Sequence, residues 1–508
     1  MKITMKTLIY FVLFFNLLPR LDAQIHVGKG QIYSSIYQVC RAKAAHPGDT
    51  IYLHAGIYTD RGQVFDSLIG SPSKWIYIRP WLQDSISIQV AYTFQHAQFL
   101  HLSGLNFFGN NPSQSTYLFH MLYFDYDYAC FTANHHIIVD HCKFQNLNNS
   151  GKANTGAMLK FTGTDYFEVS NCLFKDGINI TDGISLNGNR NGRIFNCRFE
   201  NMPGDGSHCK GGTKNITYEQ NLFVNCEAAG LDIGGDTGLP YFCPLGAAWE
   251  ADSIHVFSNI FIGGKTGIKL SSCHNSRIFN NTCFKSTAFA FRSLNASSHP
   301  IYLLNNHVYN NIFSTYSSYP IYLNATAGFA YQTAYFYNNL FHSYKSINPK
   351  TLNWSEMPGV NISGNLIADP LFRDTTLRDF SLMKGSLAIG SAYATKSPER
   401  DYFGKLFVSL RSIGAIEYYS SSSLPEVNNS EAISIFPNPT SGEFSIQWSS
   451  VLSIKQIEIY NLLGQTILVF SPDPNTFQMN IDLPEAGVYQ LILKSESGLL
   501  KSKMMICK

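Results

Sequence analysis

A short pattern recurs through the middle of the chain. It is an alternating run of apolar and polar residues, then Asn or Cys, one further residue and Phe, as in HHIIVDHCKF (135–144), DYFEVSNCLF (165–174) and KNITYEQNLF (214–223). Strand-and-turn units of roughly 22–30 residues that repeat in this way build solenoids. The segments between the repeats show no helical periodicity of apolar residues, which disfavours leucine-rich and α-solenoid folds. The repeated phenylalanines are Phe144, Phe174, Phe199, Phe223, Phe261, Phe313 and Phe341.

Two residues before each of these phenylalanines stands a Cys in the early repeats and an Asn in the later ones. In stacked coils, one position recurs every ~4.8 Å, the spacing between neighbouring strands. We therefore predict a column of small buried cysteines and a ladder of side-chain amides. A linear column cannot supply four converging metal ligands, whereas disulfides that involve Cys226 or Cys243 stay open. The two columns are Cys142, Cys172 and Cys197, then Asn221, Asn259, Asn311 and Asn339.

The composition and the first residues of the chain indicate an exported protein. The 508 residues are 45% hydrophobic and 14% charged, with a net charge of +2, which excludes a disordered chain. The chain has no basic block, so we expect no nucleic-acid partner. Lys2 and Lys6 precede an apolar run at 8–18 that is too short to span a membrane, and Ala23 offers a cleavage site. We predict a signal peptide at 1–23, no transmembrane segment and a monomer.

The repeats and their flanks resemble the pectin-lyase-like superfamily. The segment HPGDTIYLHAGIYTD (46–60) is similar to the opening coil of its secreted members, and RSIGAIEY (411–418) is similar to their closing segment. The resemblance implies an all-β fold, a right-handed parallel β-helix over residues 24–418. We predict a short amphipathic capping helix within 31–45, with Ile32, Ile36 and Val39 facing inward.

A Ser-rich linker at 419–431 precedes a second region with a different pattern. In residues 432–508, apolar and polar residues alternate between turns, which is typical of a small β-sandwich. The order of its motifs, FPNP, YNLLG and LPEAGVY, resembles the C-terminal sorting domain of bacterial type IX secretion. The resemblance implies type IX machinery as a partner and a secreted or surface-attached protein. The alternative is a carbohydrate-binding sandwich, which the lack of clustered Trp residues disfavours.

A second strand of each coil also aligns, on the small residue that begins each segment. The segments are GAMLKF (156–161), GISLNG (183–188), GSHCKG (206–211), GLDIGG (230–235), GIKLSS (267–272) and AFAFRS (288–293). Because side chains alternate faces along a strand, one set points inward and the next set points outward. The expected inward residues are Ile184, Leu186, Cys209, Leu231, Ile233, Ile268 and Leu270. The expected outward columns are Met158, Ser185, His208, Asp232 and Lys269, then Lys160, Asn187, Lys210, Gly234, Ser271 and Arg292.

Charges that are rare in the whole chain thus collect on one face, beside an enlarged coil. Asp182 and Asp205 precede the aligned glycines of adjacent coils, and the glycine spacing of 24 residues before residue 230 grows to 37 after it. The extra loop carries Tyr241, Phe242 and Trp249, whose rings either stack on a sugar or pack the loop onto the coil. Polar outward positions are expected in any solenoid, so a purely structural interpretation remains open.

The face also resembles a degenerate polygalacturonase series. Asp182, Asp205 and Lys269 match it, but Gly206 and Ala229 replace an expected carboxylate and an expected histidine. An inverting hydrolase needs two carboxylates around a water, so the loss of one favours a lyase instead. The alternatives are a polygalacturonase-like hydrolase and a non-catalytic glycan-binding or adhesin protein.

A lyase acting on a uronic-acid polysaccharide needs a base for the C5 proton and cations that neutralise the carboxylate. Hard oxygen ligands suit Ca²⁺, and Ca²⁺-dependent lyases occur in the superfamily. The predicted roles are Lys210, His208 and Lys269 as catalytic residues; Lys160, Asn187, Arg292, Tyr241 and Trp249 as substrate-binding residues; and Asp182, Asp205 and Asp232 as Ca²⁺ ligands.

Overall fold

The chain forms two compact units, residues 1–418 and 419–508, described here by a computed structural model. In these units, no described helix is long and apolar enough to cross a membrane. The predicted signal peptide lies outside the described residues except for its last two. The described residues are 22–59, 63–109, 120–126, 130–148, 156–179, 181–235, 237–294, 303–324, 333–346, 359–393, 398–419, 433–436, 443–448, 454–461, 465–473, 476, 478–483, 487–495 and 498–507.

The first unit is a parallel β-solenoid with three long sheets, which we call sheets A, B and C, and this confirms the predicted fold. Sheet A contains Gln24–Val27, Thr50–Leu53, Ile76–Pro80, Gln98–Ser103, His135–Asp140, Asp165–Ser170, Arg190–Phe195, Thr213–Glu219, Ala251–Phe257, Cys273–His274, Arg277–Phe279, Leu304–Tyr309, Thr333–Tyr337 and Val360–Ser363. Sheet B contains Gly56–Tyr58, Ile86–Ile88, Asn106–Phe108, Lys143–Gln145, Leu173–Lys175, Arg198–Met202, Leu222–Cys226, Ile260–Ile262, Thr282–Ser286, Ile312–Thr315, Leu340–Ser343 and Leu366–Ile367. Sheet C contains Gln63–Asp66, Tyr92–Gln95, His120–Phe124, Gly156–Thr162, Thr181–Asn187, Ser207–Lys210, Leu231–Gly234, Thr266–Ser271, Phe289–Leu294 and Ile321–Asn324.

The remaining elements of the first unit cap it or lie between coils. They are the α-helix Ile36–Arg41, the 3₁₀ helix Leu239–Tyr241 and an antiparallel pair, Phe372–Asp374 and Asp379–Leu382. Ile36 and Val39 of the helix are buried as predicted. The prediction for Ile32 is wrong: its side chain is 91% exposed, because the helix begins only at Ile36.

The phenylalanines of sheet B form the predicted inward column. From Phe107 through Phe261, successive rings stack with centroids 4.6–4.9 Å apart and planes within 5°. This spacing equals one coil, so each ring between Phe107 and Phe261 buries both faces against identical neighbours. Cys283 takes the next position of the column, and Phe313 and Phe341 continue it.

The cysteine and asparagine columns are confirmed as well. Cys142, Cys172 and Cys197 are buried and reduced. In the asparagine column, each side-chain amide donates to the side-chain oxygen of the next coil at 2.9–3.0 Å. The ladder also includes Asn281 and Asn365, which the repeat did not reveal because Cys283 and Ile367 stand where it has Phe.

The second unit consists of two antiparallel sheets that share one apolar core, in agreement with the predicted sandwich. Trp448, Ile457 and Leu491 are among the residues buried in this core. One sheet contains Ile433–Phe436, Glu443–Trp448 and Gln478–Asp482, and the other contains Ile454–Asn461, Thr466–Phe470, Gly487–Ser495 and Gly498–Cys507.

Candidate functional site

The outward face of sheet C carries the charged residues that the alternation predicted, with one correction of register. All the expected inward residues are buried. Met158, placed in the His208 column by the sequence, is buried instead. Lys160 and Arg292, expected in the Lys210 column, belong to the His208 column. The register of this column is Tyr123, Lys160, Ser185, His208, Asp232, Lys269 and Arg292.

The error comes from the residues chosen as anchors of the alignment. Gly156 pairs with Thr181 rather than with Gly183. At the other end of the face, Thr266 pairs with Phe289 rather than with Thr287, as the alignment of Gly267 with Ala288 required. The first and last segments of the alignment were therefore each placed two residues out of register with the segments between them. A shift of two keeps Lys160 and Arg292 on their predicted side of the strand but moves them to another column. The corrected register places more charge in one column than the sequence indicated.

Asp182, Asp205 and His208 form the densest part of the site. One potential ligand atom from each of the three lies within 4.8 Å of the others. The Nδ1 atom of His208 is 3.7 Å from Oδ2 of Asp205, and the backbone N–H of Asp205 donates to Oδ1 of Asp182 at 2.8 Å. The Nε2 atom of His208 lies 2.7 Å from the carbonyl oxygen of Gly234, so this nitrogen carries the proton. The lone pair of the neutral ring is then on Nδ1, towards Asp205.

Burial and like charge dominate the protonation of this cluster. Burial raises the pKa of Asp182 to about 7, and the Asp232 carboxylate acts in the same direction. Burial and the carboxylates of Asp232 and Asp182 hold the pKa of Asp205 well above its usual range. Burial, with the ammonium groups of Lys210 and Lys269 nearby, lowers the pKa of His208 to about 4. The imidazole is therefore neutral at pH 7.

Asp232 and Lys269 form an ion pair on adjacent coils next to His208. The Nζ of Lys269 lies 2.5 Å from Oδ2 of Asp232, while Oδ1 of Asp232 is buried and accepts no hydrogen bond from any described residue. Burial alone would favour the neutral amine, but the carboxylate outweighs it, so the pKa of Lys269 is raised. Lys269 is accordingly a fixed cation in the site.

Lys160 lies at the opposite end of the column and is largely shielded from solvent. Burial, and then the charge of Lys210, lowers the pKa of its ammonium group. Its Nζ lies 5.6 Å from the centre of the Tyr123 ring, and the Tyr123 hydroxyl donates to Asp125 at 2.9 Å. Tyr123 and Asp125 were not predicted from the sequence, although the alternation in HMLYF (120–124) was a signal that could have extended the face by one coil.

The enlarged coil contributes one exposed ring to this face. Tyr241 is 64% exposed, and its carbonyl oxygen accepts a hydrogen bond from the side chain of Asn187 at 2.9 Å. Phe242 is buried, and Trp249 lies beside sheet A with the Nζ of Lys214 5.0 Å from its ring. Packing of the loop thus accounts for Phe242 and Trp249, whereas Tyr241 is accessible to a ligand.

The same loop is cross-linked to an earlier coil. Cys243 forms a disulfide with Cys130, so the disulfide left open for Cys243 is present. Cys226 is a buried free thiol, which corrects the other half of that expectation. Cys226 belongs to a strand of sheet B and faces the core, where burial raises the pKa of its thiol.

Two parts of the chain match models of known protein families. Residues 33–229 match the family model described as Chondroitinase B, and residues 434–507 match the one described as Secretion system C-terminal sorting domain. No curated protein matches the sequence.

Solved structures resemble parts of this chain at low sequence identity. A PL6 family alginate lyase is 14% identical over 75% of this chain, with a TM-score of 0.37, and the match spans 60% of that lyase's length. The mannuronan C-5 epimerase A-module from Azotobacter vinelandii is 12% identical over 66% of this chain and 89% of its own, with a TM-score of 0.46. An alginate lyase from Paenibacillus sp. is 12% identical over 68% of this chain and 99% of its own, with a TM-score of 0.41. At these identities and TM-scores, the matches carry no information about the activity of this chain.

Proposed function

Because this chain is a parallel β-helix protein that carries a secretion-system C-terminal sorting domain, we propose that it is an exported polysaccharide lyase. It cleaves a uronic-acid-containing glycan by β-elimination. The observation that supports this function is the outward face of sheet C, where Lys210 lies close enough to Asp182, Asp205 and His208 to influence their protonation. The match of residues 33–229 to the chondroitinase B family model favours a lyase over the other two alternatives.

In the proposed reaction, Lys210 is the base. Its neutral amine takes the proton from C5 of the uronate, the electrons of the C5–H bond form the C4–C5 double bond, and the C4–O4 bond breaks. The departing O4 takes a proton from water, and Lys210 then releases its proton to the solvent. His208 is the weaker candidate for the base, because its Nε2–H is committed to Gly234 and its Nδ1 faces Asp205. Lys160, Lys269 and Arg292 bind the carboxylates of the polymer.

Two of the three carboxylates predicted as ligands are suitably placed to bind a divalent cation. Asp182 and Asp205 are buried and converge with His208, as a cation site requires. Asp232 does not join them, because one of its oxygens is paired with Lys269. We propose that Asp182 and Asp205 hold the cation, with Nδ1 of His208 as the third ligand. When bound, the cation neutralises the substrate carboxylate and acidifies the C5 proton. Ca²⁺ stays our prediction for its identity, although an imidazole ligand is also suited to Mn²⁺ or Zn²⁺.

Substitution of Asp205 by Asn should weaken cation binding. Because Asn retains the shape but loses the charge, we expect the dissociation constant of the cation to rise at least ~10-fold, since the loss of an outer-shell partner alone costs about 10- to 100-fold. Isothermal titration of the purified protein with Ca²⁺, Mn²⁺ and Zn²⁺ measures this directly. Asp252→Asn, on the outer face of sheet A, is the control. Equal affinity in wild type and Asp205→Asn would contradict the assignment.

The proposed activity is tested by incubation of the protein with a panel of uronate polysaccharides. A lyase produces an unsaturated sugar that absorbs ultraviolet light, and each cleavage also generates one reducing end. New reducing ends without the ultraviolet absorbance would indicate the hydrolase. Binding to a glycan without either product would indicate the non-catalytic protein.

Export through the C-terminal domain makes a separate prediction. A chain that ends at 419 retains the solenoid but lacks the sorting domain, so we expect it to fold and to remain inside the cell envelope. Immunoblots of the medium, the cell surface and the envelope fractions of the producing bacterium measure the distribution. Delivery of the truncated protein to the surface at the wild-type level would contradict this role of residues 432–508.

A further inference from the structure

Residues 237–250, which we call the strap, cross the turns that leave sheet C. Cys243 of the strap donates its backbone N–H to the carbonyl oxygen of Gly211 at 2.9 Å. Its partner Cys130 follows the strand His120–Phe124, whereas Cys243 follows Leu231–Gly234. Three strands of sheet C lie between these two, so the disulfide joins loops that are separated by three intervening coils.

Glycines in the underlying turns allow the strap to lie close to the coils. A Cβ atom on Gly188 would lie 2.3 Å from Cβ of Cys243, and one on Gly212 would lie 2.6 Å from the Cys243 carbonyl oxygen. Both residues also have positive φ angles, +63° and +91°. Side chains at these positions would lift the strap away from the coils. The strap is therefore a closely packed wall of the site.

Glu250 joins the two ends of the strap to the turn after Lys210. Its side chain is completely buried. One carboxylate oxygen accepts hydrogen bonds from the N–H of Gly211 at 2.8 Å and the hydroxyl of Thr237 at 2.7 Å, and the other accepts from the N–H of Thr237 at 2.6 Å. Its backbone carbonyl accepts from the N–H of Gly212 at 2.9 Å. Such charge-assisted bonds in a buried place are strong and directional.

These contacts enclose Lys210 from two sides. The Lys210 carbonyl accepts hydrogen bonds from the N–H of Gly188 and the hydroxyl of Thr213, and Glu250 binds the next N–H along the chain. At the other side, a Cβ atom on Gly235 would lie only 3.3 Å from Cδ of Lys210, so the backbone before the strap lies against the lysine stem.

We propose that Glu250 is a positioning residue for Lys210. By binding the turn after the lysine and closing the strap, it fixes the direction in which the Lys210 side chain points. The catalytic consequence rests on the proposed function, whereas the effect on the conformation of Lys210 does not. Misplacement of a reacting group by about 1 Å can cost ~100-fold in rate, so a single distant carboxylate can control turnover.

The experiment compares wild type with Glu250→Gln and with a matched control, Glu417→Gln. Glu417 is also buried and also accepts hydrogen bonds from a backbone N–H and a hydroxyl, but it lies in the closing segment. Lysines are labelled by reductive ¹³C-methylation, and the Lys210 signal in the NMR spectrum is assigned from its absence in Lys210→Arg. We expect Glu250→Gln to shift or broaden this signal, and Glu417→Gln to leave it in place.

Steady-state kinetics, with a polysaccharide that the wild-type protein cleaves as the substrate, give the second measurement. For Glu250→Gln we expect kcat to fall at least ~10-fold with KM changed less than ~3-fold, as a misplaced base predicts. An unchanged Lys210 signal, or equal losses in both variants, would overturn the proposal. If Glu250→Gln does not fold, Thr237→Val removes one hydrogen bond to Glu250 and should move the Lys210 signal in the same direction. Absence of turnover in the parent would refute the proposed lyase while the NMR comparison still decides the role of Glu250.

Discussion

Lys210→Ala should lower kcat by ~10³-fold or more, within the range that a general base contributes. The substitution removes the proposed proton acceptor, while the cations that hold the substrate remain. Because Lys210 is partly exposed and lies on the outside of the solenoid, we expect the free energy of unfolding to change by less than about 1 kcal/mol. Initial rates of product formation and urea denaturation followed by circular dichroism measure the two effects.

Two further variants test whether Lys210 acts as a base or only as a positive charge that binds the substrate. Lys210→Arg keeps the positive charge but cannot give up its proton near neutral pH, so it should be almost as inactive as Lys210→Ala. An active Lys210→Arg protein would show that the residue only binds a carboxylate. Lys74→Ala, a surface lysine that is paired with Asp22 far from the site along the chain, should retain wild-type rates.

Asn281→Leu should destabilise the solenoid by roughly 3–5 kcal/mol, the cost of several buried polar groups without partners. The Asn281 side chain donates to the carbonyl oxygens of Val256 and Phe279 and to Asn311, and it accepts from the backbone and side chain of Asn259. Leucine has a similar volume but satisfies none of these groups. Urea denaturation of the first unit measures the change.

An exposed asparagine provides the comparison. Asn361 lies on the outside of sheet A, and among the described residues its side chain contacts a carbonyl oxygen two residues away, at 3.5 Å. Asn361→Ala should therefore change the free energy of unfolding by about 0.5 kcal/mol or less. If Asn281→Leu proved equally mild, the amide ladder would not contribute to stability as its hydrogen bonds indicate.

The sequence was sufficient to predict the coil and the face on which each charged side chain lies. Strand alternation has a period of two, so it identified Ile184 and Cys209 as inward and His208 and Lys210 as outward. The phenylalanine column fixed the sheet B register because large rings can stack in only one alignment. In sheet C, small residues served as anchors, and a shift by two residues preserves the alternation; Lys160 and Arg292 were therefore assigned to the wrong column.

Contacts across long separations could not be obtained from the sequence. The disulfide between Cys130 and Cys243 joins residues 113 positions apart, and no repeat position relates them. Glu250 was also missed, since a single acidic residue in a loop resembles any solvated charge until its burial is known. The grouping of His208 with Asp182 and Asp205 depends on side-chain directions that the alternation alone does not specify.

The strap also restricts how this solenoid could vary in length. Solenoids gain or lose whole coils readily because each coil contacts only its neighbours. Between Cys130 and Cys243, however, an inserted coil would move the two loops apart by ~4.8 Å. Their Cα atoms are 5.8 Å apart, and a disulfide tolerates at most ~7 Å. The coils that carry the site are thus held to a fixed number, and natural insertions or deletions of whole coils should fall before Cys130 or after Cys243.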